Sequence, residues 1–357
     1  MKKPLIVSLL ILAASVLLGP SVAFAELKIY YIRHAEGGHN VKADWEHRKV
    51  PKDQWPAYVG NPDMFTPKGL AQQAAVSGKL KKYDFDFIAV SPLWRCRNTI
   101  LPYMKEMDVK GEIWPELLEQ RASDLILSTE QPAPTDTIFG EGDAVELPAN
   151  EAPYFSLRSD GMNNIKLPRY GNTPADDELV NAAARVVIQR VLDMIQDRFG
   201  GTDTTILLSG HGSSGKAVLR MLTKDPLDGF PSISNTGIWM AREQANGEFK
   251  PMMFNDYPLE NGKPSAALKH ASMDTNGDGQ VTKAEYVAPR AAGFGRKDHN
   301  KDGVLSLNEH AHSSFEVADK NQDNQLTPEE YASVFEDQFD QHYDKNGDGV
   351  CTVDEMR

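Results

Sequence analysis

Cysteine is almost absent. The 357 residues hold only Cys96 and Cys351, so no disulfide framework can carry the fold. One bridge between them would need Cα atoms within about 7 Å across two distant parts of the chain. Two buried free thiols are the expectation. Long apolar runs are also missing once the first 25 residues are passed, which excludes a membrane span in the remainder. Basic residues are in deficit, with 38 Lys and Arg against 51 Asp and Glu and a net charge of −13. No basic stripe exists, so nucleic acid is excluded as a partner.

The amino terminus has a different character. Lys2 and Lys3 precede LIVSLLILAASVLL, and Ala23-Phe24-Ala25 follows. A charged region, a short apolar region and a small-x-small site predict an export signal over residues 1–25, cut after Ala25, and hence a periplasmic or secreted protein. The 332 residues left are too many for one ordinary core, so two domains are expected.

The acidic excess is concentrated at the other end. From Ser265 onward 9 basic residues face 18 acidic ones. There the chain repeats one pattern four times: DTNGDGQVTKAE, DHNKDGVLSLNE, DKNQDNQLTPEE and DKNGDGVCTVDE, starting at 274, 298, 319 and 344. Each has Asp, Asn, Asp and Glu at positions 1, 3, 5 and 12. Ca²⁺ wants six to eight oxygens, and this spacing supplies them, with a backbone carbonyl at position 7. The candidate ligands are Asp274, Asn276, Asp278, Gln280 and Glu285; Asp298, Asn300, Asp302, Val304 and Glu309; Asp319, Asn321, Asp323, Gln325 and Glu330; and Asp344, Asn346, Asp348, Val350 and Glu355. Up to four ions are expected, and no organic cofactor. Position 6, where the backbone turns with positive φ, is Gly279, Gly303 and Gly349, but Asn324 in the third loop, which should be the weakest. Position 8 (Val281, Leu305, Leu326, Cys351) should pair loops through short β contacts. The spacers between loops are short, so one shared helix is expected in each. The region resembles tandem EF-hand segments.

Upstream, apolar strands alternate with helical patterns. LKIYYIRHA, FDFIAVSP, TTILLSGH, TGIWMA and FKPMMF read as strands. Thr66-Pro67 opens one helix and Thr173-Pro174 a longer one, whose apolar face repeats at Val180, Ala184, Val187, Val191 and Ile195 before Gly200-Gly201 ends it. The expected class is α/β, a layered sheet with helices on both faces, followed by an all-α calcium-binding domain. Residues 122–172 break the alternation with many prolines and acidic residues, as a lid would. ENGKPSAA at 260–267 reads as a polar linker, dividing the chain into 26–262 and 263–357.

Three strand ends carry chemistry. RHAEGGHN (33–40) follows the first strand, SPLWRCRNT (91–99) the second, and SGHG a later one. Ligands bind outside strand carboxyl ends in such sheets. Together with PELLEQR and LLSGHGSSGKAVL, these segments resemble the histidine phosphatase superfamily, in the branch related to phosphoglycerate mutase. FTPKGLAQQ and SNTGIWMA…FKPMMFND extend the resemblance over roughly 27–258. It implies a phosphoglycerate-mutase-like fold with His34 as the nucleophile that becomes phosphohistidine and His211 as the second pocket histidine. It makes Arg33, Arg95 and Asn40 phosphate contacts and Glu119 the proton donor, with Glu116 as the fallback. The other histidines, His39 and His270 among them, read as ordinary polar residues. Arg121, Arg158, Lys166 and Arg169 read as solvated basic surface, with contact to an anionic substrate from the lid as the alternative. The expected function is an exported phosphomonoester hydrolase with a calcium module, acting on a small phosphorylated substrate. A phosphoglycerate-mutase-like phosphotransferase and a calcium-binding interaction protein with a relic phosphatase domain stay open beside it.

Overall fold

The computed structural model describes residues 25–119, 137–166, 176–310 and 315–357. The expected signal up to residue 24, the caps Thr173 and Pro174, and both ends of the expected lid, with Arg121 and Arg169, lie outside these. The strands are β1 (Lys28–Arg33), β2 (Phe87–Val90), β3 (Gly111–Ile113), β4 (Ile138–Phe139), β5 (Phe155–Ser156), β6 (Ile165–Lys166) and β7 (Thr205–Gly210). They continue with β8 (Ile238–Glu243), β9 (Phe249–Phe254), β10 (Tyr257–Pro258), β11 (Val281–Thr282), β12 (Leu305–Ser306), β13 (Gln325–Leu326) and β14 (Val350–Cys351). The helices are α1 (Lys42–His47), α2 (Pro67–Leu80), α3 (Trp94–Met107), α4 (Asp176–Phe199) and α5 (Gly212–Thr223). After them come α6 (Ala266–Met273), α7 (Lys283–Ala291), α8 (Phe294–Lys297), α9 (Phe315–Ala318) and α10 (Pro328–His342).

Eight strands form one sheet in the order β10-β9-β8-β1-β7-β2-β3-β5. From β1 to β5 the pairings are parallel, while β8, β9 and β10 run antiparallel. A strand buried on both faces is apolar throughout, and β1 shows why. Ile29 and Tyr31 join a core with Val191 of α4 and Val218 of α5. Tyr30 and Ile32 join the opposite core with Leu80 of α2 and Ile100 of α3. The expected caps hold where they are described: the Thr66 hydroxyl accepts from the Gly69 N–H at 3.0 Å, with Pro67 in the first turn. On α4, Ala184, Val187, Val191 and Ile195 are all buried as the periodicity requires.

The segment 137–166 is more than a cover. Its β5 extends the sheet beside β3, and Phe155 enters the core. Two buried ion pairs pin it. Glu151 accepts from Arg97 Nε at 2.5 Å and from Asn98 at 2.9 Å, and Arg158 donates to Glu116 at 2.7 Å. Arg158 is therefore not solvated basic surface. Its charge is matched by buried Glu116 and by Asp160 at the surface.

The 260–267 stretch is not a free linker either. Glu260 and Lys263 pair across a turn, and Ser265 caps α6. Leu268 of α6 is buried in the same core as Ile29 and Val218. His270, two residues on and so on another face of the helix, is buried and bonds through Nε2 to the Cys351 carbonyl at 3.1 Å. α6 thus belongs to both halves, and a cut at 262 would remove a core residue from the first.

The loops pair in nested fashion. Val281 of the first lies opposite Cys351 of the fourth, and Leu305 of the second opposite Leu326 of the third. A single helix joins loops three and four, as expected. Between loops one and two the helix is broken into α7 and α8 at Ala292-Gly293. Both cysteines are free and buried, as expected.

Removing one partner of a buried pair leaves a desolvated charge and costs about 3–5 kcal/mol. Glu151→Ala should lower stability by about that amount in urea unfolding. A loss under about 1 kcal/mol would show that Arg97–Glu151 does not anchor the 137–166 segment.

Candidate active site and calcium loops

The parallel run places the ends of β1, β2, β3 and β7 along one edge of the sheet. His34 follows β1 and His211 follows β7, and their ring centroids lie 5.3 Å apart. Both are essentially buried. Tyr31 holds the second: its hydroxyl accepts from the His211 N–H at 2.6 Å and donates to the His211 carbonyl at 3.0 Å. Gly215 permits this, because a Cβ there would meet the Tyr31 ring at 2.4 Å. Thr99 of α3 does the same for the first loop, accepting from the Ala35 N–H at 2.7 Å.

The His34 tautomer follows from its partner. His34 Nδ1 lies 2.7 Å from the Ala35 carbonyl, which can only accept, so Nδ1 carries the hydrogen and Nε2 keeps its lone pair. Ser91 Oγ lies 3.0 Å from His211 Nε2 and receives the Leu93 N–H at 3.5 Å. Cys96 Sγ lies 3.4 Å from the same nitrogen, and His211 Nδ1 lies 3.9 Å from Glu119 Oε2. Burial, chiefly, with Arg33 and Arg95 nearby, drives the His34 pKa well below its usual value. Burial likewise lowers that of His211, assisted by His34 and Arg95. Two neutral imidazoles result.

Arg95 stands in the first turn of α3, buried, and donates to Glu119 at 2.7 Å. Arg33 donates to the Ile233 carbonyl at 2.6 Å, and Nε of each arginine has no partner among the described residues. Glu119 is nearly half exposed and lines a cleft of about 240 Å³ with Arg33, Gly212, Ser213, Lys216, Ser232 and Ile233. Its carboxylate therefore lies at the cleft and within 3.9 Å of the His211 ring. Glu116, the fallback, is committed to Arg158 and is not at this site. Asn40 caps its own turn, accepting from the Gly37 N–H at 3.0 Å. The structure thus gathers His34, His211, Arg33, Arg95 and Glu119, and gives Asn40 a local structural contact.

Sequence reasoning passed over Ser91, Tyr31 and Thr99, which orient the pocket, and Asn235, which donates to the His34 carbonyl at 2.9 Å. It also passed over His39, whose ring centroid is 5.3 Å from that of His34. The only available signal was its position inside RHAEGGHN.

The calcium loops are folded around their first residues. Asp274 accepts from the N–H groups of Gly277 and Gly279 at 2.7 and 2.8 Å, and Asp344 does so from Gly347 and Gly349 at the same distances. Position 6 has positive φ throughout, +85°, +87° and +88° at Gly279, Gly303 and Gly349 and +61° at Asn324. Glu285 turns onto the N–H groups of Thr282, Thr275 and Asn276, and the Thr282 contact leads in holding its carboxyl down at about 2. Among the described residues no three His, Cys, Asp or Glu side chains are drawn close enough to hold a metal. The donors still fit a hard cation, being oxygens throughout, and the buried Oδ1 of Asp298 has no partner.

The histidine phosphatase superfamily (branch 1) matches residues 29–133, and the EF hand matches residues 271–288 and 312–335. No curated protein matches. Among solved structures, a phosphoserine phosphatase mutant from Entamoeba histolytica in complex with phosphoserine is 17% identical, with 64% of this chain and 96% of that one covered and a TM-score of 0.37. A mycobacterial glucosyl-3-phosphoglycerate phosphatase is 14% identical over 64% and 98%, with the same TM-score of 0.37.

Two outcomes follow from this geometry. The unfolded chain's histidines titrate near 6.5, the folded pair far lower. Above that pH neither state binds the protons and the stability is intact. Below it the unfolded chain takes protons that the pocket refuses, so stability falls by about 1.4 kcal/mol per pH unit for each imidazole. His34→Asn should reduce the slope of stability against pH between about 5 and 6.5. Equal slopes in parent and variant would show that His34 is not held neutral. In the calcium half, Glu285→Gln should weaken calcium binding in the fourth loop more than in the second and third, because β11–β14 joins the first and fourth. Site-resolved calcium titration of the full chain by NMR checks this, and equal weakening of all three would contradict the nested pairing.

Proposed function

From a chain that joins a histidine phosphatase superfamily segment to EF-hand segments, we propose an exported phosphomonoester hydrolase that works through phosphohistidine and carries a calcium module of up to four ions. The observation that carries it is the His34 imidazole: neutral, with Nδ1 spent on the Ala35 carbonyl and Nε2 free, beside His211 and two guanidiniums.

His34 Nε2 attacks phosphorus, forming the N–P bond as the ester P–O bond breaks. Arg33, Arg95 and the His211 imidazole hold the equatorial oxygens, where charge spreads in the transition state. Glu119, at the cleft, hands Arg95 to the phosphoryl group, takes up a proton from solvent, and as a carboxylic acid protonates the departing alkoxide. As a carboxylate it then takes a proton from water, whose oxygen attacks the phosphohistidine and releases phosphate and free His34. Asn40 is assigned a phosphate contact by the resemblance alone. Its amide oxygen is used on Gly37, so any such contact falls to its NH₂. In the calcium module the side-chain oxygens at positions 1, 3, 5 and 12 and the carbonyl at position 7 would hold the ion, which supplies charge that offsets the repulsion among those carboxylates. Export rests on the charged and apolar features of residues 1–25.

His34→Ala should remove phosphate release from nitrophenyl phosphate by at least about 10³-fold while leaving calcium binding unchanged, and an acid-labile, base-stable phosphoenzyme should be trapped from the parent. A phosphoenzyme that transfers to an alcohol in preference to water would favour a phosphotransferase. No hydrolysis and no phosphoenzyme in the parent would favour a calcium-binding protein with a relic domain.

A further inference from the structure

His39 belongs to the 3-10 turn Gly38–Asn40, which follows the nucleophile loop. Its ring lies beside that of His34, tilted by 46° at 5.3 Å between centroids. Neither of its ring nitrogens has a hydrogen-bond partner among the described residues, and both are cut off from solvent. Buried polar atoms are rarely left so, because an unmet group carries its full desolvation cost. The groups acting on it come from three elements: Arg33 and His34 at the end of β1, Arg95 on α3, and His211 at the end of β7. Those are the same groups that surround the proposed phosphoryl position.

We propose that His39 is a third imidazole of the phosphate site, whose ring N–H meets a phosphoryl oxygen once Glu119 has left Arg95. The proposal rests on the phosphatase reading of the pocket. Without an anion the ring is neutral, its pKa lowered to about 4 by burial and by Arg95 and Arg33. A tetrahedral dianion cancels the field of the two guanidiniums and offers the charged ring a partner that offsets its burial. The imidazole then takes up a proton from solvent and donates to the anion as an imidazolium. Binding should therefore be tighter at lower pH and should draw protons from the buffer.

Tungstate serves as the probe, since it is a tetrahedral dianion that does not itself titrate between pH 6 and 8. Calorimetry of the full chain in two buffers of different ionisation enthalpy counts the protons taken up. The parent should take up protons on binding at pH 6.5. His39→Gln should take up fewer, bind tungstate about tenfold more weakly at pH 6.5, and show a flatter pH dependence of affinity. His39→Phe keeps a ring against His34 without a donor and should lose affinity as His39→Gln does. If His39→Phe or His39→Gln binds tungstate with the parent's affinity and proton count, the proposal is overturned while the phosphatase reading stands. If the parent neither binds tungstate nor hydrolyses nitrophenyl phosphate, both are overturned.

Discussion

Two guanidiniums and three imidazoles share one largely buried pocket, and the fold tolerates this because the imidazoles are neutral and a carboxylate lies on one guanidinium. Were His34 and His211 charged, Arg33 and Arg95 would repel them in a medium that screens poorly. Burial removes the protons, and the Glu119 carboxylate balances Arg95 at 2.7 Å. The same balance suits the proposed chemistry. A phosphoryl dianion would replace one carboxylate on the same cation, and the proposed attack needs His34 in its neutral form.

The support for this pocket reaches far from it. Tyr31, Thr99, Ser91 and Asn235 hold the loops that carry the histidines, each through a contact of 3.0 Å or less. Behind them, Arg97–Glu151 and Arg158–Glu116 fasten the 137–166 segment to α3 and to the loop after β3. That loop continues to Glu119. A carboxylate that must reach both the cleft and Arg95 is thus carried on a segment whose neighbours are held by buried charge.

At the other end, α6 joins the two halves through Leu268 in the core of the sheet domain and His270 on the Cys351 carbonyl. The first and fourth loops sit on this helix and on each other. The second and third loops close a separate small core around Leu305, Phe315 and Tyr331. The two pairs therefore differ in what they touch, although their ligand patterns are the same.

Local pattern alone determined a good deal here. The strand-ending motifs, the Thr66-Pro67 helix start, the apolar face of α4 and the positive-φ sixth positions each follow from residues close in sequence. Such features depend on backbone sterics and on period, which neighbours in the chain decide. Tertiary structure alone decided the rest. Whether Glu116 or Glu119 faces the pocket turned on Arg158, which lies 42 residues away from Glu116. The first loop's pairing with the fourth, Leu268's place in the core and His39's position against His34 likewise depend on packing between distant segments. No local periodicity encodes which carboxylate meets which guanidinium, since that choice is made by desolvation and charge only after the chain has closed.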